Sequence, residues 1–324
     1  MNILLRAMRW FCIAALGAVP VTVAAQAYPA KPVRIVVPFG PGGVADITAR
    51  VLAQKMTESM GQQVLVENKP SAGGILASET VARADPDGYT LLFITNGNAV
   101  SESLFKSLRY NSVKDFAPIS TVGYFDLVFV ASPDSDIRTV GDLISRARAA
   151  PGKLNIGTIN PGSTQNLAAE LFKSMANIEI QVVPYKRTPD VVTAARGGDV
   201  QAAVEILAPV LTQISAGALR AIAVAASRRS ALLPQVPTVA ESGVAGYEAS
   251  SWNGLAAPAK TPESIVTRLN REVNAAIASP DVRKRLQDVG IDPRAGTPRD
   301  LHEQLVADIA KWKAVIEKAG IPRQ

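Results

Sequence analysis

The chain has 324 residues, a formal net charge of +6, 5% aromatic residues, one histidine and one cysteine. Its basic residues are scattered apart from Arg228-Arg229 and Arg283 to Arg285, so it lacks the basic, aromatic-lined surface that nucleic acid demands. One histidine and one cysteine leave no metal-ligand cluster and no disulfide framework, so neither a metal nor any other cofactor is expected.

At the N-terminus, Arg6 and Arg9 precede the apolar run "FCIAALGAV", and Ala25-Gln26-Ala27 has the small-x-small pattern of a cleavage site. Residues 1–27 read as a secretory signal peptide, too short and wrongly flanked for a transmembrane helix. Cys12 lies mid-segment and not after a small-residue box, which argues against a lipoprotein. Cleavage leaves a chain that starts near Tyr28, carries a charge of +4 and has no cysteine. The expected location is the periplasm. Without disulfides the chain rests on an ordinary hydrophobic core, and its length suits two lobes.

From Val33 onward, apolar runs alternate with helical periodicity. Val33 to Val37 reads as a strand. Asp46 to Met60 reads as a helix, with Ile47, Val51, Leu52 and Met56 on one face and Gly61 at its end. "QVLVEN" is a second strand, "SAGG" at Ser71 to Gly74 opens a helix, "DPDG" at Asp85 to Gly88 is a turn, and "YTLLFIT" is a third strand. The pattern repeats through the strands "LVFVA", "KLNIGT", "IQVVPY", "VQAAVEI" and "LRAIAVA". Between them, Thr139 starts a helix with Asp142 at capping-box spacing, and "TQNLAAELFKSM" is amphipathic. Thr188-Pro189 opens a helix that Gly197-Gly198 ends. Thr261-Pro262 and Thr297-Pro298 open the last long helices, with Thr as N-cap and Pro at the first helical position.

Strand–helix–strand units at this spacing predict an α/β fold with mostly parallel sheets flanked by helices. Two lobes are expected: 28–127 with 250–324, and 128–249. Hinges are expected near Tyr124 to Val130 and Tyr247 to Trp252. No repeat beyond the strand–glycine turn–helix theme is evident.

The loop "PFGPGG", Pro38 to Gly43, separates the first strand from the first helix. In an open α/β sheet, ligands bind outside the carboxyl ends of the strands. The first N–H groups of a helix have no partners, and the dipole is positive there, so that end attracts an anion. Gly42 and Gly43 let a ligand approach the backbone, while Asp46 is expected to cap the helix. Taken alone, the loop serves equally as a tight turn. No Gly-Lys-Ser/Thr and no dinucleotide fingerprint follows. The segment "GTINPGSTQNLAAELF" runs from strand to helix in the same way, with Ser163, Thr164 and Gln165 at the helix start. Two such helix ends facing one cleft would each hold one end of a dianion. Hydrogen bonds to charged groups contribute roughly 1.5–3 kcal/mol each, so a handful reaches micromolar affinity, about −8 kcal/mol. The turn "TNGNA", Thr95 to Ala99, would add further contacts.

The runs "YPAKPVRIVVPFGPGGVADITARVLAQKM", "VENKPSAGG", "DPDGYTLLF", "VKDFAPIS", "PYK" and "LPQVPTVAESGVAGYEASSWNGLAAPAKTP" resemble the tripartite tricarboxylate transporter substrate-binding family, also called the Bug family. The resemblance spans essentially the whole chain after residue 27. It implies a two-lobed periplasmic binding protein of type II-like architecture that closes on a small organic or amino acid carboxylate. It implies a monomer and delivery to membrane permease subunits. It places ligand contacts on Phe39, Gly40, Gly42, Gly43 and Val44; on Thr95, Asn96 and Asn98; on Asn160, Ser163, Thr164 and Gln165; and on Glu205. The chain departs from the family pattern at Gly40 and Val44. Asn166 stands where His is common, Arg187 where Gly is common, and Glu205 where Asp is common. Arg187 and Glu205 bear on the charge preference of the cleft.

An enzyme is not indicated. His302 falls in a predicted C-terminal helix as a surface residue. Ser163 lacks a Gly-x-Ser-x-Gly elbow, and Asp85 and Asp87 read as turn formers. The alternative is a receptor that presents its closed form to a membrane signalling partner, which the sequence alone does not separate from transport.

Overall fold

The computed structural model describes residues 28–324; the signal-peptide segment and Cys12 lie outside them. Strands β1 (Val33–Val37), β2 (Val64–Asn68) and β3 (Thr90–Thr95) are parallel in the order β2–β1–β3. They are linked through α1 (Val44–Met60) and α2 (Ile75–Ala82), and α3 (Asn96–Leu104) follows β3 directly. In the other half, β5 (Asn155–Ile159), β6 (Gln181–Tyr185) and β7 (Ala202–Ile206) are also parallel, in the order β7–β5–β6.

One strand joins the halves. β4 runs for 16 residues, Phe116–Ala131. As far as Asp126 it pairs antiparallel with β9 (Ser250–Pro258), which also pairs with β3. Its other edge there carries the short β10 (Ile291–Pro293). From Leu127 onward, β7 and β8 (Arg220–Val224) take its two edges. The strand therefore has neighbours on both edges on either side of the change, which gives its backbone polar groups partners there. The outer strands are parallel as expected, but the centre of the molecule is antiparallel. "VKDFAPIS", carrying Pro118, is part of β4. The pairing accommodates it by register shifts at Pro118/Ser120 and Thr121/Gly123.

Each half buries its own layer. Val33, Ile35, Val37, Phe93 and Leu255 pack under α1 and α8 (Glu263–Ala278). In the other half, Val128, Val130, Ala203 and Leu207 pack with α6 (Thr188–Gly197) and α7 (Leu207–Ser215). A third core runs through both halves. It joins Val36, Leu92 and Leu104 to Phe129, Phe172, Tyr247 and Trp252, with Leu301, Leu305 and Trp312 of α10 (Pro298–Ala319). Trp252 is fully buried there, and its Nε1 donates to Asp308 Oδ2 at 2.6 Å.

The helix starts refine the expected ones. α1 begins at Val44 with Gly43 as N-cap. Thr139 and Thr297 cap α4 (Val140–Ala149) and α10 with reciprocal bonds from Asp142 and Asp300. Thr261 does not cap α8, because Pro262 takes that position. Thr188 is the first residue of α6, and Arg187 is the N-cap. His302 is exposed on α10.

Gly254, in the middle of β9, has no room for a side chain: a Cβ would stand 2.6 Å from the backbone oxygen of Ser120. Gly254→Ala should therefore cost about 1–3 kcal/mol, read as a lower urea midpoint; an unchanged midpoint would show that β4 and β9 separate freely.

Candidate ligand-binding site

The loop after β1 and the loop after β5 are built alike. Pro41-Gly42-Gly43-Val44-Ala45-Asp46 and Pro161-Gly162-Ser163-Thr164-Gln165-Asn166 each place a left-handed glycine just before a helix N-cap, with φ of 81° at Gly42 and 78° at Gly162. In each, the side chain at the third helical position reaches back to that glycine. Gly42 N–H donates to Asp46 Oδ2 at 2.9 Å, and Gly162 N–H donates to Asn166 Oδ1 at 3.1 Å. Asp46 and Asn166 therefore hold the loops and do not face a ligand; Asp46 braces the turn without capping α1.

Asp46 is the more elaborate brace. It is 3% exposed, its carboxylate accepts from Arg50 Nε, and its Oδ1 accepts from Asn68 Nδ2 at 2.9 Å. Asn68 Nδ2 also donates to Phe39 O at 2.9 Å, tying the outer side of the loop to β2. Burial raises the Asp46 pKa, but the hydrogen bonds from Arg50, Gly42 N–H and Asn68 outweigh it and hold the carboxyl below the ordinary range. The "SAGG" turn braces the loop from behind, with Gly74 packed on Pro38.

The two helix starts differ in one respect. In α5 (Thr164–Met175), Ser163 Oγ accepts from Asn166 N–H, a side-chain cap. α1 has no side-chain cap: Gly43 supplies none. Among the described residues, the N–H groups of Val44, Ala45 and Asp46 find no acceptor, and Gly43 adds no bulk over them. An anion is the group that completes such an end.

The start of α3 meets the start of α5. Asn96 Nδ2 donates to Thr164 Oγ1 at 3.1 Å across the halves, and Asn96 Oδ1 accepts from Trp312 Nε1 at 2.7 Å. Gly162 packs on Leu104. Both polar atoms of the Asn96 side chain are thus engaged within the protein. Thr95 and Asn98 form the capping box of α3, and Asn98 Nδ2 donates to Ser78 Oγ at 2.8 Å while the residue is 2% exposed. These three expected contacts serve the fold. "TNGNA" is the start of a helix and not a free turn.

The remaining expected residues cluster. Phe39, Gly40, Gly42, Gly43 and Val44 form the first loop, and Phe39 is 46% exposed. Asn160 O accepts from Ser163 N–H at 3.1 Å, shaping the second. Gln165 is buried, and its Nε2 donates to Glu205 Oε2 at 3.3 Å. Thr188 Oγ1, which does not cap α6, donates to the same oxygen at 3.0 Å. Burial pushes the Glu205 carboxyl up, against the hydrogen bonds from Gln165 and Thr188. Ile206 packs on the same small cluster as Val44 and Ile47, which places the end of β7 against the start of α1. Arg187 points away: its guanidinium is held by Asp190 in solvent.

The sequence reading missed Asn253, which is fully buried with neither amide atom partnered, opposite Thr95 in the sheet. An amide within the otherwise apolar run "WNGLAAP" was the available signal. It also missed the shared Pro-Gly-x-x-x-Asp/Asn spacing of the two loops. Among the described residues, no cluster of three His, Cys, Asp or Glu is placed to hold a metal, and no helix is long and apolar enough to cross a membrane.

Residues 48–321 match the family model for the tripartite tricarboxylate transporter family receptor. Protein BugT of Bordetella pertussis is 37% identical over 300 residues, 92% of each chain. The solved structure of R. palustris Rpa4515 with adipate matches with a TM-score of 0.78 at 35% identity, over 91% of this chain and 99% of that one. MatC (Rpa3494) from Rhodopseudomonas palustris with bound malate matches with a TM-score of 0.73 at 30% identity, over 89% and 100%.

Removing the brace at Asp46 strands the Gly42 N–H, so Asp46→Ala should cost about 1–3 kcal/mol near neutral pH. Because the folded-state pKa of Asp46 is lowered, its contribution is complete above the ordinary carboxylate range and is lost as pH falls through the folded value. The gap between the thermal melts of the two proteins should therefore narrow as pH falls below the ordinary carboxylate range. A gap that stays constant with pH would remove the charge from this account.

Proposed function

The chain belongs to the tripartite tricarboxylate transporter receptor family, and on that premise we propose that it is a periplasmic solute-binding protein that captures a small carboxylate between two lobes for uptake by a tripartite tricarboxylate-type transporter. The observation that carries the reading is the start of α1, where three consecutive N–H groups have no acceptor among the described residues and no side chain caps the helix. A ligand carboxylate completes that cap. It accepts from the N–H groups at Gly43 to Asp46, in the favourable field of the helix end. The bound adipate and malate of the two solved relatives are small carboxylates, which supports the class.

The lobes are 28–127 with 250–324, and 128–249. The exchange of partners along β4 between Asp126 and Leu127 supports that division. Closure about this crossing brings the α5 end, with Ser163, Thr164 and Gln165, against the far end of the solute. Residues 1–27 direct export and are removed.

Gly43 offers a clean test. A Cβ there meets only Gly40 O, at 3.8 Å, and its φ of −76° suits any residue. Gly43→Val should fold normally yet weaken carboxylate binding at least tenfold, an effect of about 1.4 kcal/mol or more, measured by isothermal titration with a panel of small carboxylates. Gly42→Val is the contrasting variant: its left-handed backbone makes it cost stability, roughly 1–2 kcal/mol. Wild-type affinity in Gly43→Val would remove the anion from this loop.

A further inference from the structure

Glu205 has one carboxylate oxygen that the fold does not satisfy. The residue ends β7 next to Ile206 and is 1% exposed. Its Oε2 accepts from Thr188 Oγ1 and Gln165 Nε2. Its Oε1 is buried and has no hydrogen-bond partner. None of the ion pairs among the described residues includes Glu205, and the nearby cation Arg187 is turned to Asp190. A buried carboxyl without a cation is costly to ionise, and burial pushes Glu205 up accordingly; a cationic partner from outside the fold would reverse that cost.

The two neighbours define what that partner must be. Gln165 Nε2 is a donor in every state, and the Thr188 hydroxyl is oriented to donate as well. Both donate to Oε2, and Oε1 is left without a partner in the fold. Gln165 is the second residue of α5 and Thr188 the first residue of α6. The positive ends of both helices therefore already face an anion that belongs to the protein. A second ligand carboxylate placed here meets a like charge in a low dielectric. An ammonium meets a free acceptor and makes a charge-assisted hydrogen bond.

We propose that Glu205 Oε1 receives the ammonium of the solute, so that the ligand class is an amino acid, with its carboxylate on the α1 end and its ammonium at the end of β7. This rests on the carboxylate reading above and narrows it. It also sets the chain apart from the relatives solved with adipate and malate, neither of which carries an amine.

The test is isothermal titration of the chain lacking residues 1–27 with L-aspartate, L-glutamate, β-alanine, γ-aminobutyrate and δ-aminovalerate. The parallel series is succinate, glutarate and adipate, in which the ammonium is absent or replaced by a carboxylate. At least one amino compound should bind more than tenfold tighter than its partner. Glu205→Gln should erase that preference, and Glu205→Asp should keep part of it, with melting temperatures confirming that both variants fold. Dicarboxylates binding as tightly as their amino partners in the wild type would overturn the ammonium assignment and leave the carboxylate reading in place. A preference that survives intact in Glu205→Gln would overturn the ammonium assignment in the same way. Binding of neither series would overturn both.

Discussion

The continuity of β4 is the constraint on which the other contacts depend. A single strand of 16 residues serves two sheets, and its neighbours change from β9 and β10 to β8 and β7 near Asp126. Backbone pairing cannot lapse at such a point without orphaning buried N–H and C=O groups, so both edges are filled on either side of the change. The halves are thereby fixed in register along one strand. α3, which follows β3, meets the loop after β5 and the start of α5, as the Asn96–Thr164 bond and the Gly162–Leu104 contact show. α10 reinforces this from one face, contributing Leu301, Leu305 and Trp312 to a core shared by both halves.

On that frame the site is assembled mostly from backbone. The groups proposed to face the ligand are amides, which have no rotamers to order. What the side chains do is hold the amides in place: Asp46 with Arg50 and Asn68 on one loop, Asn166 with Thr158 on the other. The charge of Asp46 is balanced by Arg50 and by the Gly42 N–H, so it does not cancel the field that the helix presents to an anion. Glu205 is different in kind. Its donors come from side chains at the starts of α5 and α6, and its second carboxyl oxygen is buried without a partner.

Much of this was legible in the sequence, for physical reasons that can be named. Val33 to Val37 and Thr90 to Thr95 are buried on both faces, and such strands read as continuous apolar runs. Helix ends marked by Gly61, Gly198 and Thr297 are dictated by local chemistry. The glycine loops stood out because a left-handed residue must precede each cap. The first half of β4 was not legible, since Pro118, Gly123 and three hydroxyl residues give it the composition of a loop; only its partner β9 makes it a strand. The roles of Asn96 and Asn98 were likewise hidden, while Asp46, expected as a helix cap, braces the Gly42 turn instead. An amide or carboxylate at a helix start satisfies a ligand or the backbone equally well on paper, and tertiary neighbours such as Trp312 and Ser78 decide. Thr188 looked like a cap because Pro follows it, but the buried Glu205 draws its hydroxyl away.

In capping, one atom separates the twin loops: the hydroxyl oxygen that Ser163 contributes to its helix and that Gly43 does not. Two half-sites built on the same plan would otherwise accept a molecule either way round. With one helix start capped by its own serine and the other open, the proposed site is directional, and an unsymmetrical solute would have a head and a tail before any pocket shape is considered. Reversing the order of its functional groups, with size and total charge unchanged, is then as disruptive as changing the groups themselves.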